Sequence, residues 1–233
     1  MSRWKLAQEY ERNWWLNKAE TIYLEFYKNF AVEIIDLLKP YIEIQKETKI
    51  LEIGSGAAGI ITHLPSDYRF AIDPLEDFYA SIPRYKNYRD KKVFYQTALG
   101  ESLPFKSEQF DLIIMDNVLD HCDNPTQVLN EMKRVLKKNG ILYFRQNTYH
   151  LWGRMIRNIM EFFLIDKGHP HTFAKKNLDK IFNQFGFKIL YKNRDGYFAT
   201  WKWEIKSKRL IDKIKAILLV NRDKYTLVLK KSE

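Results

Sequence analysis

A chain of 233 residues with 45% apolar composition can bury one α/β core with additions, and no part of it is polar enough to read as disordered. No apolar run reaches the roughly 18 to 20 residues of a membrane span, Met1–Lys5 precedes no signal-type apolar segment, and the single cysteine, Cys122, excludes an internal disulfide, so the expected location is cytoplasmic. The net charge of +10 is uneven: residues 1–150 hold 20 basic and 21 acidic groups, whereas residues 151–233 hold 19 and 8.

Residues 4–39 read as one or two helices, because Leu16, Ile22, Phe26 and Phe30 recur at helical spacing and Pro40 supplies a stop. A strand is expected at Lys49–Ile53, then the turn Gly54-Ser55-Gly56-Ala57-Ala58-Gly59, from which a helix should run to about His63. Further strands are expected at Tyr68–Ile72, Lys92–Gln96, Phe110–Met115 and Ile141–Phe144. The fourth of these five is apolar but for Asp111, as suits a strand buried on both faces. A helix at Pro125–Leu136 ends at Lys138-Asn139-Gly140. The last third reads as a helix (175–185), a strand (187–191), a basic helix (203–219) and a strand (225–229). Strands alternating with helices predict a parallel sheet covered on both sides. No repeat or linker divides the chain, so 1–233 is expected to form one domain: a helical cap (1–40), a cofactor-binding core (41–150) and an acceptor-shaping portion (151–233).

Gly54-x-Gly56-x-x-Gly59 lies between a strand and an expected helix, the context in which a glycine turn approaches a nucleoside cofactor. The helix N-terminus would offer free N–H groups to a carboxylate or phosphate. Asp73, ending the next strand, can accept hydrogen bonds from both hydroxyls of a ribose. A 2′-phosphate set about 4 Å from that carboxylate would cost about 4 kcal/mol at an effective dielectric near 20, which disfavours NADP. NAD and S-adenosylmethionine both pass that test. Glu52 stands two places before the first glycine, where dinucleotide folds usually carry an apolar residue. It could brace the turn or meet a methionyl ammonium through water.

From Leu51-Glu52-Ile53-Gly54-Ser55-Gly56 onward the sequence resembles the class I S-adenosylmethionine-dependent methyltransferases of the small-molecule branch. Glu101-Ser102-Leu103-Pro104-Phe105, Phe110-Asp111-Leu112-Ile113, Asn117-Val118-Leu119-Asp120-His121 and Glu131–Gly140 are similar to later motifs in the family's order. His169-x-His171-x-Phe173 and Phe185-Gly186-Phe187 match more loosely. The resemblance implies a three-layer α/β fold of Rossmann type: a seven-stranded, mostly parallel sheet with one antiparallel strand, helices on both faces and an N-terminal helical lid. It implies S-adenosyl-L-methionine as cofactor, held by Glu52, Gly54, Ser55, Gly56, Asp73, Pro74, Leu99, Gly100, Glu101, Asp116 and Asn117. Leu99 stands where many relatives have an acid, so backbone or Glu101 would meet the adenine. Ala58 replaces a common third glycine.

Methyl transfer to a hydroxyl is helped by a general base. His121, after the fourth strand, and His171, in the acceptor-shaping segment, are the candidates, with a purely structural loop role for His121 equally open. Aromatic residues of the N-terminal helices (Trp4, Tyr10, Trp14, Trp15, Tyr23) either cap the mouth or pack as core. His169 and His171 without cysteine or paired carboxylates are too few for a metal, so none is expected. Cys122 reads as an inert thiol. The basic helix is expected to pack its apolar face on the sheet, with peripheral contact to an anionic membrane as the alternative. The expected acceptor is a small molecule: a hydroxylated natural product, a sugar or a lipid-linked intermediate. A nucleic-acid substrate is disfavoured, since Asp116-Asn117-Val118-Leu119 lacks the Asn/Asp-Pro-Pro-Tyr pattern of amino-methylating enzymes and no RNA-binding module is visible. An NAD-dependent oxidoreductase and a non-catalytic cofactor-binding protein complete the alternatives. The oligomeric state is not legible.

Overall fold

The computed structural model describes residues 2–162 and 170–232. Two helices open the chain, α1 (Arg3–Lys18) and α2 (Phe26–Leu38), and the Ser2 side chain accepts a hydrogen bond from Lys5 N (3.3 Å) to start the first. Strand β1 (Lys49–Ile53) follows, then β2 (Tyr68–Asp73), short helices α3 (Glu76–Ser81) and α4 (Pro83–Tyr88), β3 (Phe94–Thr97) and β4 (Phe110–Asp116). Helix α5 (Pro125–Val135) starts on Asn124, whose side chain accepts from Gln127 N, and leads into β5 (Leu136–Thr148). The remainder comprises α6 (Leu151–Phe162), α7 (Lys175–Gln184), β6 (Phe187–Asp195), α8 (Tyr197–Lys206), α9 (Leu210–Ile217) and β7 (Asp223–Lys231).

Seven strands form one sheet in the order β3-β2-β1-β4-β5-β7-β6, with β7 antiparallel to both of its neighbours. Alternation along the strands divides the core in two. Ile50, Leu112, Ile114 and Tyr143 face α1 and α2; Leu51, Ile113, Leu142 and Phe144 face α5 and α7. The expected sheet, with its single reversed strand and helical layers, is therefore present. Helices α8 and α9 contribute no residue to either core.

Several expectations need correcting. The helix expected after the glycine turn is only a 3-10 turn, Ile60–His63. Gly59 sits at φ +79°, ψ 146°, outside helical space, and Pro65 follows too soon for a helix to grow. Strand β3 starts at Phe94 rather than Lys92. Strand β5 begins five residues before Ile141: Leu136 already pairs with Phe110, and the register to β4 shifts between that pair and Leu112–Ile141, a stretch in which Asn139 sits at φ +60°. The single basic helix is two, since Ser207 leaves helical space; its hydroxyl accepts from Arg209 N (3.2 Å) and donates to Asp212 (2.7 Å). Nor does that segment lay its apolar face on the sheet: Leu210 is 73% and Ile217 74% exposed, while Asp212 and Ala216 are buried.

Candidate active site

The carboxyl ends of β1, β2 and β4 converge on a cavity of about 290 Å³. Parallel pairing of β1 with β2 sets Ile53 beside Ile72, and the turn then folds onto the neighbouring strand: Gly54 N and Ser55 N both donate to Ile72 O (2.8 and 3.2 Å). Gly54 has φ +73°, and a Cβ there would lie 2.4 Å from Val118. Only glycine can hold this bend against the loop that follows β4.

Asp73 ends β2 at the cavity wall. One carboxylate oxygen accepts from Gly56 N and the other from Leu75 N, both at 2.9 Å. Each oxygen keeps a lone pair for a further donor. Burial pushes this carboxyl up to about 6, against the two backbone N–H groups that favour the anion. Glu52 braces the chain after the turn: its oxygens accept from Ile60 N (3.1 Å) and Ile61 N (2.8 Å), and its side chain also lines the cavity. Those donors, expected to be free at a helix N-terminus, are thereby taken. Burial raises the Glu52 carboxyl to about 8, opposed by the same two N–H groups.

Across the cavity, β4 and β5 place Asp116 opposite Arg145, and the pair is bidentate at 2.8 and 2.6 Å. The Phe30 ring lies 4.2 Å from the guanidinium carbon and closes the pair off from solvent. Asn117, at φ +56°, turns the chain after β4, and its Oδ1 accepts from Asn147 N (3.0 Å). Leu99, Gly100 and Glu101 form the remaining wall; one Glu101 oxygen accepts from Asp123 N and Asn124 N (2.8 and 3.1 Å).

The eleven residues expected to hold a cofactor all line this one cavity, and so does His121. The His121 ring is about one-fifth exposed and its Nε2 lies 3.7 Å from Asp120. His171 is not brought there. Its ring bonds the Asp123 carbonyl (3.2 Å) and its N–H the Asp120 carbonyl, pinning the loop behind His121. His169 lies outside the described residues; among those described, no group of three or more metal-ligating side chains occurs.

Of the roof, sequence reasoning named Trp4 and Trp15 as possible caps but not Gln8, Glu11, Tyr27 or Phe30. Trp4, Gln8, Glu11 and Trp15 of α1 and Tyr27 and Phe30 of α2 face the cavity, whereas Tyr10, Trp14 and Tyr23 are exposed. Trp15 packs edge-on against Tyr79 and Tyr85, and Arg84 donates to Ala19 O and Ile22 O (both 2.6 Å), fastening the α1–α2 joint to α4. Arg89 was also missed. It pairs with Glu76 and donates to Ala57 O (2.7 Å), supporting the glycine turn from behind.

The sequence profile of the methyltransferase domain family matches residues 23–192. The chain belongs to that family. This methyltransferase is 32% identical over 136 residues to an uncharacterised protein of Methanocaldococcus jannaschii, covering 58% of this chain and 56% of that one. It is 26% identical over 140 residues to a ubiquinone biosynthesis O-methyltransferase of Rickettsia typhi, with coverages of 59% and 56%. The chain thus spans little more than half the length of these curated relatives. Among solved structures it is similar in fold to geranyl diphosphate C-methyltransferase from Streptomyces coelicolor, with a TM-score of 0.66 and 11% identity over 86% of this chain and 79% of that one. The S-adenosylmethionine-dependent class suggested by the glycine-turn motifs is therefore the family of this chain.

The residues present suit that cofactor. Four carboxylates (Glu11, Asp73, Glu101, Asp116) line the cavity against Arg145, which fits a cationic sulfonium and ammonium. Ser55 Oγ and Gln8 Oε1, both buried in its wall, have no hydrogen-bond partner among the described residues.

Proposed function

We propose that the protein transfers a methyl group from S-adenosylmethionine to a hydroxyl of a small molecule entering beneath α1 and α2. The observation that carries this reading is the single cavity lined by Gly54–Gly56, Asp73 and Leu99–Glu101. The glycine turn and Ser55 would hold the methionyl part, Asp73 the two ribose hydroxyls, and the Leu99–Glu101 wall the adenine. When bound, the cofactor supplies an electrophilic methyl on a sulfonium that is already a good leaving group. The chain's work is then to align the acceptor and keep water out, which the aromatic roof of Trp4, Trp15, Tyr27 and Phe30 suits. Closed off by Phe30, the Asp116–Arg145 pair offers one polar anchor for an acceptor.

His121 is the lining group placed to take the hydroxyl proton. The choice of oxygen is supported by the Rickettsia typhi relative, an O-methyltransferase by name. The test has two stages. Calorimetric titration should show S-adenosylhomocysteine binding and NAD not; the reverse would overturn the reading. S-adenosylhomocysteine release is then screened over hydroxylated metabolites, sugars and lipid-linked intermediates. With the best acceptor, His121→Gln should lower kcat about 100-fold while cofactor affinity holds. An unchanged kcat would remove His121 as the base.

A further inference from the structure

The 23 residues from Tyr197 to Leu219, which form α8 and α9, carry six bases (Lys202, Lys206, Lys208, Arg209, Lys213, Lys215) and two acids, Glu204 and Asp212. Burial sorts them by sign. Glu204 is 6% and Asp212 3% exposed, each held by an internal partner: Asn221 for the first and Ser207 for the second. All the bases but half-buried Lys215 are exposed. The charged groups on the outer face of this hairpin are therefore all basic.

Large apolar side chains share that outer face. Phe198, Trp203, Leu210 and Ile217 are 75%, 62%, 73% and 74% exposed, with Ile205, Ile214 and Leu218 beside them. A domain that left so much apolar surface in water, interleaved with lysine, would be unusual unless the surface has a use. The patch continues onto α6, because Trp152 Nε1 donates to Leu218 O (3.0 Å) and the His150 ring bonds Leu219 O (2.7 Å). Leu151 and Trp152 there are 77% and 49% exposed.

We infer that the exposed face of α8 and α9, extended by the start of α6, docks the protein on an anionic lipid bilayer. Aromatic and aliphatic side chains enter the interfacial zone, and the surrounding lysines, together with Arg209, meet lipid phosphates. Charge chooses among the occupants. A second copy of the same face would bring six bases against six, and interface centres are depleted of lysine. A nucleic acid would stack on aromatic rings, whereas five of the exposed side chains here are aliphatic: Ile205, Leu210, Ile214, Ile217 and Leu218. Topology adds a consequence. Thr148 at the end of β5 and Asp195 at the end of β6 pair with Asp223 and Lys224 at the start of β7, so α6 and α8 leave the sheet at the edge that carries the cavity.

Co-sedimentation with phosphatidylcholine vesicles and with mixed phosphatidylcholine–phosphatidylglycerol vesicles tests this without reference to methyl transfer. The protein should pellet with the mixed vesicles at low salt and be released by added salt. At about a fivefold gain per surface lysine or arginine, charge reversal at Lys208, Arg209 and Lys213 should weaken binding at least 100-fold. Leu210→Ser with Ile217→Ser, which leaves the charge unchanged, should weaken it as well. S-adenosylhomocysteine affinity, unchanged in both variants, reports that they are folded. Failure to pellet with mixed vesicles, equal pelleting with both kinds, or full retention by the charge-reversed variant would overturn the inference. So would a dimer that Leu210→Ser with Ile217→Ser splits, or an RNA affinity above the lipid affinity and abolished by the same reversal.

Discussion

The two ends of the sheet treat ionisable groups in opposite ways. Around β1, β2 and β4, the carboxylates of Glu52, Asp73 and Asp116 are turned inward and spent on backbone N–H groups or on Arg145. Beyond β7, the acids Glu204 and Asp212 are buried too, but their neighbours of opposite sign face outward, in company with tryptophan, leucine and isoleucine. The first arrangement makes a closed cavity that suits a small cation. The second makes an open cationic surface that suits a large anionic one. The contrast lies in where the bases stand: Arg145 is largely buried with its acid, whereas most bases of α8 and α9 are exposed.

Breaking the first end should cost most at Gly54. A Cβ there meets both a left-handed backbone and Val118 at 2.4 Å, so Gly54→Ala should destabilise the fold by about 3 kcal/mol and abolish cofactor binding. Thermal melts and calorimetry would check this, and Val118→Ala in the same chain should restore part of the stability but not the backbone cost. A smaller loss is expected at Asp73. Asp73→Ala should weaken S-adenosylhomocysteine binding by about 1.5–3 kcal/mol through lost charged hydrogen bonds. Unchanged affinity in the folded variant would remove Asp73 from the ribose.

The mildest test uses pH. Glu52 ionises near 8 in the fold against an ordinary value of 4.5, so its neutral form is the one the fold favours. Its contribution is complete below about 4.5 and is lost as pH climbs toward 8, by about 1 kcal/mol per pH unit. Asp73, raised from 3.8 to about 6, adds a loss of the same sign over its own lower range. Denaturant midpoints between pH 6 and 8 should therefore fall in the parent chain and stay flatter in Glu52→Gln. A parent profile that rises over that range would show that the Glu52 carboxyl is not held neutral.

What could be read from sequence follows the range of the forces involved. Strand β1 appears at its expected residues because five apolar-rich positions bounded by a glycine turn leave little choice. The cavity wall was legible for the same reason: Gly54, Asp73, Glu101 and Asn117 each belong to a short motif or stand at the end of an expected strand. The 3-10 turn after Gly59 was not, since the groups that would cap a helix there are claimed by Glu52, eight and nine residues back, across a turn whose geometry only the fold sets. The Asp116–Arg145 pair spans 29 residues and exists through the parallel register of β4 and β5. The roof was hidden too. The aromatics of α1 divide between cavity and solvent according to how that helix lies on α4, and its own sequence does not fix this. The break at Ser207 escaped because lysine and isoleucine continue in helical spacing on both sides of it.

The Arg84 clamp on Ala19 O and Ile22 O has a mechanical side. It nails down one end of the first helix while the other, at Ser2–Trp4, reaches over the cavity. A tilt of that helix would therefore pivot about residues 19–22 and displace Trp4 more than Trp15, so the Arg84 clamp sets which of the two tryptophans is the more firmly held over the cavity.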